Sequence, residues 1–348
     1  MKSSGIGGQA VMEGIMMKNG DAYALAVRLP DGQIQVEQSE YKGIVSGKKI
    51  LSVPFIRGVF NFIDSMVLGM KTLTRSADIA IEAEKAQTCA SDADLQKCGE
   101  CEAAVRMQAS EKSGNAAKDA GCRKAGVVAG KKKDEKSGDN GLLMAGTIVL
   151  AVLLAVGLFM VLPVLAASLA KRWITSTLVI TLLEGIIRLC IFGVYIVLIS
   201  KMEDIQRVFM YHGAEHKCIN CIEHGLELNV ENVRKSSRLH KRCGTSFMLL
   251  VMLVSFIVFL FVRVDTVWLR VVSRVLLLPV VAGISYEVLK LAGRSDSLII
   301  QAISKPGLMM QKMTTKEPDD QMIEVAIRAV EAVFDWKKFV EEVKEEQA

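Results

Sequence analysis

The sequence predicts a mainly α-helical, polytopic membrane protein with about four transmembrane helices, a small N-terminal β-hairpin unit and a cytoplasmic C-terminal helix. Two observations carry that prediction. Mean hydropathy is +0.32 although 23% of the 348 residues are charged, a combination foreign to an evenly mixed soluble globule. The charges are also segregated: residues 141–200 hold four (Lys171, Arg172, Glu184 and Arg188), residues 245–292 hold six, and the other 240 residues hold 71. Such a pattern describes apolar spans joined by water-facing segments, so the lipid bilayer is the first expected partner. It excludes a secreted disulfide mini-protein, a disordered tail and a purely soluble enzyme. A net charge of +5 with no aromatic–basic stripe argues against nucleic acid. The first long apolar run begins near residue 142, so no secretory signal is expected.

Residues 1–80 read as a cytoplasmic β-hairpin followed by an amphipathic helix. Tyr23–Leu29 and Gln33–Glu37 favour extended backbone, and Pro30-Asp31-Gly32 between them has turn chemistry. Before them, Gly5, Gly7 and Gly8 form either a loop or a place where backbone approaches another surface; no phosphate-binding glycine motif is complete. Over 53–80, Phe55, Val59, Phe60, Ile63, Val67 and Leu68 recur at helical spacing, interrupted by Arg57, Asp64 and Lys71. Packing on the protein's own membrane domain is the first expectation for this helix, and docking on the lipid surface is the second.

Residues 81–140 read as a disordered, charged linker. From residue 82 to 140 there are eleven acidic and eleven basic residues and almost no large aliphatics, too little apolar surface to offset ordering entropy. Cys98 and Cys101 form a CxxC pair there, expected to be incidental thiols because no companion pair or βαβ context accompanies them.

The membrane domain is expected over 141–292. Gly141–Ala170 is long enough for about 30 Å of hydrocarbon, with Pro163 placed to kink or end it. Ile174–Ser200 follows after a very short turn, so the two form an antiparallel pair. Within it, Glu184 and Arg188 have the spacing of an ion pair between packed helices. Ser246–Val262 is a short third span. Trp268–Leu291 is a fourth, or a re-entrant segment, because Arg270, Arg274, Glu287 and Lys290 flank its middle. An even number of spans puts both termini and the 201–244 loop on one side, and Lys131, Lys132, Lys133, Lys136 and eight Lys or Arg of that loop mark it as cytoplasmic. The expected location is a bacterial cytoplasmic membrane, where cysteines stay as thiols or metal ligands. In the tail, 293–348, Glu317-Pro318-Asp319-Asp320 opens a helix whose stripe is Ile323, Ala326, Ile327, Val330 and Phe334.

All four histidines fall between residues 212 and 240. His212 and His216, four apart on a helix, share one face, as two ligands of one zinc do, and Glu215 between them has the position of a general base. The order HxxEH inverts the HExxH motif of zinc proteases. Three readings stay open. In one, His212 and His216 are joined by a third ligand from His240, Cys243 or a carboxylate, with an open position for water. In another, Cys218, Cys221, His240 and Cys243 hold a closed structural zinc. In the third, the histidines merely cap and hydrogen-bond at the membrane surface.

Six strings carry a family resemblance: Gly8-Gln-Ala-Val-Met-Glu-Gly14, Pro54-Phe-Ile-Arg-Gly58, Tyr211-His-Gly-Ala-Glu-His-Lys217, Arg242-Cys-Gly-Thr-Ser-Phe247, Ala282-Gly-Ile-Ser-Tyr-Glu287 and Thr314-Thr-Lys-Glu-Pro-Asp-Asp320. Together they resemble the YqhQ-like bacterial membrane proteins, a family of unknown function labelled as metal-dependent enzymes. The resemblance covers nearly the whole chain outside 82–140 and implies weight on His212, Glu215, His216, His240 and Cys243. The chain departs from the family in a longer 82–140 insert and in Cys218 and Cys221, which stand at a Thr and a variable position. The second departure favours the histidine-centred site.

The function expected from these residues is a metal site at the cytoplasmic face, holding zinc or a similar divalent ion and supporting hydrolysis of a peptide bond or a lipid-linked ester. The alternative is a non-enzymatic partner of other membrane proteins, a biogenesis factor docking on translocation or insertion machinery.

Overall fold

Tyr23–Leu29 and Gln33–Glu37 do pair, but as half of a larger sheet. In the computed structural model, β1 (Gly7–Val11), β2 (Gly14–Asn19), β3 (Ala22–Arg28) and β4 (Ile34–Glu40) form an antiparallel meander in the order β1-β2-β3-β4. The structure describes residues 3–44, 53–91, 138–240, 243–262, 264, 266–292 and 297–347. The first two strands are hidden in the sequence by their glycines, which the close packing requires. A Cβ on Gly14 would sit 2.3 Å from the carbonyl oxygen of Ala26 on β3. Gly32, with φ of +86°, closes the β3–β4 turn, where Asp31 Oδ1 accepts from Gln33 N–H at 2.9 Å.

Helix α1 (Ile56–Ser91) is the expected amphipathic helix, continuing past residue 80 into the stretch read as linker. Residues 92–137, with Cys98, Cys101 and Cys122, lie outside the described residues. The apolar bundle begins with α2 (Gly138–Val156), a π turn (Gly157–Val161) and α3 (Leu162–Leu169). Pro163 bends nothing sharply here; lacking an N–H, it leaves the carbonyl of Phe159 free for Arg188 Nε at 3.0 Å. Next come α4 (Thr177–Ile199), α5 (Glu203–Glu223), α6 (Val230–Lys235) and α7 (Gly244–Phe261). The chain ends with α8 (Val267–Leu276), α9 (Leu278–Ala292), α10 (Leu298–Thr314), α11 (Asp320–Val333) and α12 (Trp336–Gln347).

Among the described residues, three stretches are long and apolar enough to cross a membrane: Gly146–Arg172, Thr177–Ile199 and Gly244–Phe261. The fourth expected span is broken, α8 and α9 meeting at 44°. Pro279 opens the second half and cannot donate back across the break, while Arg270 and Arg274 turn α8 toward the interior of the bundle. The tail is richer than one amphipathic helix. It contributes α10 to the apolar bundle, where Gly307 allows close approach to Ser246 of α7, a Cβ there being 2.9 Å from its hydroxyl.

The sheet is covered on both faces, which is why β3 buries Tyr23 through Val27 without alternation. Ile15, Met17 and Ala26 face a core built with α5, α11 and α12, including Ile219, Ile222, Ile323, Ala326 and Val330. The stripe on α11 thus packs against the sheet as well as against helices. Asp319 caps this helix, its Oδ1 accepting from Met322 N–H at 2.7 Å. Val11, Met16, Tyr23, Leu25 and Val27 face the other way, toward Leu68 and Ile79 of α1. The start of α1 is fastened to α9: Arg57 pairs with both oxygens of Glu287 (2.8 and 2.6 Å), and Asn61 Nδ2 donates to Tyr286 Oη at 2.8 Å. Its opposite face leaves Ile56, Ile63, Met66, Val67 and Met70 exposed.

Candidate metal centre

Helix α5 starts with Glu203 and Asp204 in its first turn, the sign that suits a helix N-terminus. From Tyr211 onward nearly every residue is buried, because the sheet, α11, α12 and α6 enclose it. Polar side chains on this helix therefore need partners, and several find them in the end of α6 and the irregular segment after it. Lys217 Nζ donates to the carbonyls of Arg234 and Ser236 (2.8 and 2.9 Å) and pairs with Glu317 at 2.9 Å. Asn220 Nδ2 donates to the carbonyls of Ser237 and Leu239 (2.6 and 3.0 Å).

His212 and His216 meet edge to face, 4.4 Å between ring centroids at 66°, as their i,i+4 spacing allows. His212 Nδ1 lies 3.0 Å from the carbonyl of Thr314, at the end of α10, and His216 Nδ1 lies 2.6 Å from that of Arg238. A carbonyl only accepts, so each Nδ1 carries the proton and each Nε2 presents a lone pair. Cys243, the N-cap of α7, brings its sulfur to 3.2 Å from His212 Nε2. Thr245 N–H donates to that sulfur at 3.4 Å from the first turn of the helix. Ligand atoms of His212, His216 and Cys243 all lie within 4.8 Å of one another, and this is the group of at least three metal-binding side chains found among the described residues. Two imidazoles and a thiol, with their outer atoms already held, fit a tetrahedral zinc-like ion that keeps one open position.

The other candidates lie outside that group, although the His240 ring is only 5.8 Å from that of His216 between centroids. His240 Nε2 is 3.3 Å from Glu223 Oε2, and its backbone is clamped by Gln311, which accepts from His240 N–H at 2.9 Å and donates to its carbonyl at 2.7 Å. Cys218 and Cys221 are buried in the core shared with the sheet, Cys221 Sγ donating to the carbonyl of Glu227 at 3.4 Å. They do not converge with Cys243, so the closed four-ligand zinc is not assembled. His224 closes the end of α5, its Nδ1 2.6 Å from the carbonyl of Asn220.

Glu215 sits on the adjacent side of α5, almost wholly buried, and burial pushes its carboxyl up to about 7 against the favourable influence of His212 and of the Gly8 N–H, which donates to it. Its Oε2 has no partner. A Cβ on Gly8 would fall 3.0 Å from the carboxyl carbon, so the glycine cluster does serve a close backbone approach. Gly213 plays the same part for the tail: a Cβ there would lie 2.0 Å from the carbonyl oxygen of Lys316. Gly213 and Thr314 have no signal of their own as site residues, since each acts through its backbone. Their only trace in the sequence is membership of the strings that carried the resemblance.

The fold and site define a mainly helical protein with three or four spans' worth of apolar helix and a buried His/His/Cys group where that bundle meets a sheet. The chain belongs to the DUF1385 family, described as proteins of unknown function, whose model matches residues 53–336. It is 34% identical to the Bacillus subtilis (strain 168) protein described as uncharacterized protein YqhQ, over 93% of this chain and 90% of that one. No solved structure matches it.

Proposed function

We propose that this protein binds a zinc-like divalent ion through His212, His216 and Cys243 at the cytoplasmic face of a bacterial membrane, and that the site is hydrolytic. The observation that carries the reading is the convergence of three ligand atoms within 4.8 Å, with both imidazoles oriented by carbonyls. The location is supported by where those ligands come from, since Cys243 starts the apolar helix α7 and Thr314 ends α10, which packs on it. The exposed apolar face of α1 belongs in this picture at the lipid surface.

A divalent ion in such a site supplies a Lewis acid that brings the pKa of a bound water toward about 7. The protein's own part is to hold the ligands and to move the proton. Glu215 is suited to moving the proton, because one of its oxygens is anchored by Gly8, the other is unpartnered, and its affinity for a proton is close to neutral pH. A peptide bond and a lipid-linked ester are the substrates in view.

The test is metal analysis of the purified protein beside the double variant His212→Ala, His216→Ala. Stoichiometric zinc in the first and none in the second is expected; equal and negligible metal in both overturns the reading. Glu215→Gln then separates enzyme from docking factor. It should keep the metal and lose the cellular role of the protein, whereas a non-enzymatic partner of translocation or insertion machinery would keep both.

A further inference from the structure

Helix α1 carries its polarity inside out over its first half. Arg57 and Asp64, its charged residues before Lys71, both turn toward the protein. Arg57 pairs with Glu287 of α9, and Asp64 is buried, accepting from Tyr41 Oη at 3.1 Å and from Ile44 N–H at 2.9 Å. Outward, the exposed residues from Val53 to Met70 are apolar except Ser65, and the first exposed charge is Lys71. Phe55 and Met66 are each more than half exposed. Water penalises this arrangement twice, because the apolar side stays wet while the charges give up solvent.

Contacts with the bundle fix the level of this half. Ser246 and Leu250, in the first turns of α7, border one small cavity with Val288, Leu289 and Ala292 at the end of α9. Toward the far end of α7, Phe259 lies 4.2 Å from Arg274 of α8, whose Nε reaches Glu184 Oε1 of α4 at 3.1 Å. Arg188 Nη2 meets the same oxygen at 3.0 Å. The α8–α9 pair therefore runs antiparallel beside α7, and α1 touches it at three heights. Phe62 meets Phe247 of α7 with ring centroids 5.3 Å apart. A Cβ on Gly58 would lie 2.8 Å from Tyr286 Cβ, and one on Gly283 would lie 2.9 Å from the Phe55 carbonyl oxygen. Gly283 is about 14 Å along α9 from Ala292, half of the about 27 Å length of α7. Phe55 is thus level with the middle of α7, and Phe62 with its first turn.

A helix starting at that depth cannot leave its first N–H groups to water. All of them are taken within the chain. Phe55 N–H donates to Glu287 Oε1 at 3.3 Å, and those of Ile56, Arg57 and Gly58 donate to the carbonyls of Pro54, Val53 and Phe55 (2.9, 3.0 and 3.1 Å). Phe55 adopts a φ of +69° in this turn, a strain that a water-facing helix start has no need to bear.

We propose that the first half of α1 is inserted in the cytoplasmic leaflet. The helix starts near the middle of the bilayer at Phe55 and rises to the surface by Lys71, its outer side packed against acyl chains. The inference rests on the reading that α7 and its neighbours cross a membrane, and it replaces a helix lying along the lipid surface with one that descends below it. The inward charges, the satisfied first turn and the level of Phe55 all follow from that position.

The experiment places a fluorescent amino acid at Ile56, Ile63 or Met70 of the full-length protein, with a reference position at Leu253 in the middle of α7. Each protein is reconstituted in vesicles of phosphatidylcholine brominated either near the headgroup or near the chain end. Chain-end bromine should quench position 56 about twofold more than headgroup bromine, and the ratio should invert at position 70, about 21 Å further along the helix. Position 63 should fall between, and position 253 should behave like 56. No quenching at 56 beside a quenched 253 means that another protein or a second copy covers the face. Equal, shallow quenching at 56, 63 and 70 means a helix lying flat. Either result overturns the proposal and spares the membrane reading, whereas absence of deep quenching at 253 overturns both. Should a reporter disturb the fold, a charge replaces it. Ile56→Asp should lower the folded protein recovered from membranes about tenfold, and Met70→Asp, beside Lys71, should leave it unchanged; equal recovery of the two overturns the proposal.

Discussion

The protein buries two polar centres at opposite ends of α7, and they are satisfied in different ways. Around His212 and His216 every outer nitrogen has a carbonyl, the rings are held at one tautomer, and the open atoms converge. Around Glu184 the guanidinium groups outnumber the carboxylates among the described residues, and two donors and one acceptor are left without a partner. The first centre is preorganised; the second is charged and keeps unpartnered atoms. Converging lone pairs suit a cation, whereas leftover donors and an acceptor sealed from water are a cost to stability, so the same rule about buried polar atoms gives the two centres opposite consequences.

The comparison breaks most visibly at Glu184. Glu184→Leu removes the one described carboxylate from Arg188 and Arg274, and breaking a buried pair this way costs about 3–5 kcal/mol. The expected result is a large fall in unfolding midpoint and in recovered folded protein; a loss below about 1 kcal/mol would show that the arginines are compensated elsewhere. At the metal centre the corresponding weak point is a glycine. Gly213→Ala places a methyl group against the backbone of Lys316 and forces the tail off α5. Thr314, two residues earlier, then loses its hold on His212 Nδ1. A stability loss of about 1–3 kcal/mol is expected, together with zinc affinity reduced by about 10–100-fold in chelator competition. Unchanged affinity would mean that the Thr314 carbonyl does not orient the ligand.

Gly8→Ala acts on the same centre from the other side, at roughly 1–3 kcal/mol. Its Cβ meets Met17 Sδ at 2.5 Å, the Met16 carbonyl at 2.8 Å and the Glu215 carboxyl carbon at 3.0 Å. The base is displaced while the ligands are untouched, so zinc content should stay stoichiometric as activity falls. Loss of zinc in this variant would instead join Glu215 to the ligand set.

These substitutions also mark what is legible in the sequence. The histidine pair can be read because its partners are four residues apart on one helix, and periodicity exposes such neighbours. Glu184 and Arg188 are legible for the same reason, as is the hairpin around Pro30-Asp31-Gly32. The remaining members come from distant segments. Arg274 joins Glu184 across 90 residues, Thr314 meets His212 across 102, and Gly8 reaches Glu215 from the first strand. The sequence offers His240 only as one of several third ligands, and its contacts with Glu223 and Gln311, made across 17 and 71 residues, have no signal in the spacing. Half of the four-stranded sheet is hidden because β1 and β2 carry glycines where alternation would be sought, and α10 falls in a stretch read only as tail because its partner α7 lies far away in the chain.

The smallest expected effect supplies a control for the charge argument. Arg75 of α1 and Glu37 of β4 make the same kind of pair as Arg274 and Glu184, with contacts of 3.0 and 2.6 Å, but in contact with water. Here one charge meets one. Its hydrogen bond with Arg75 holds the Glu37 carboxyl below its ordinary value, against partial desolvation. A depressed folded pKa means that the stabilisation is fully present above the unfolded value, about 4.3, and is lost as pH falls through the folded one. Between pH 5 and pH 3 the unfolding midpoint should therefore decline slightly more steeply in the parent protein than in Glu37→Gln, by under about 1 kcal/mol for an exposed pair in salt. Added salt should shrink that difference and leave the penalty of Glu184→Leu nearly unchanged, because the buried arginines are beyond the reach of screening ions. If both effects respond equally to salt, the Glu184 cluster is open to water, and the contrast between the two buried centres fails at its charged end.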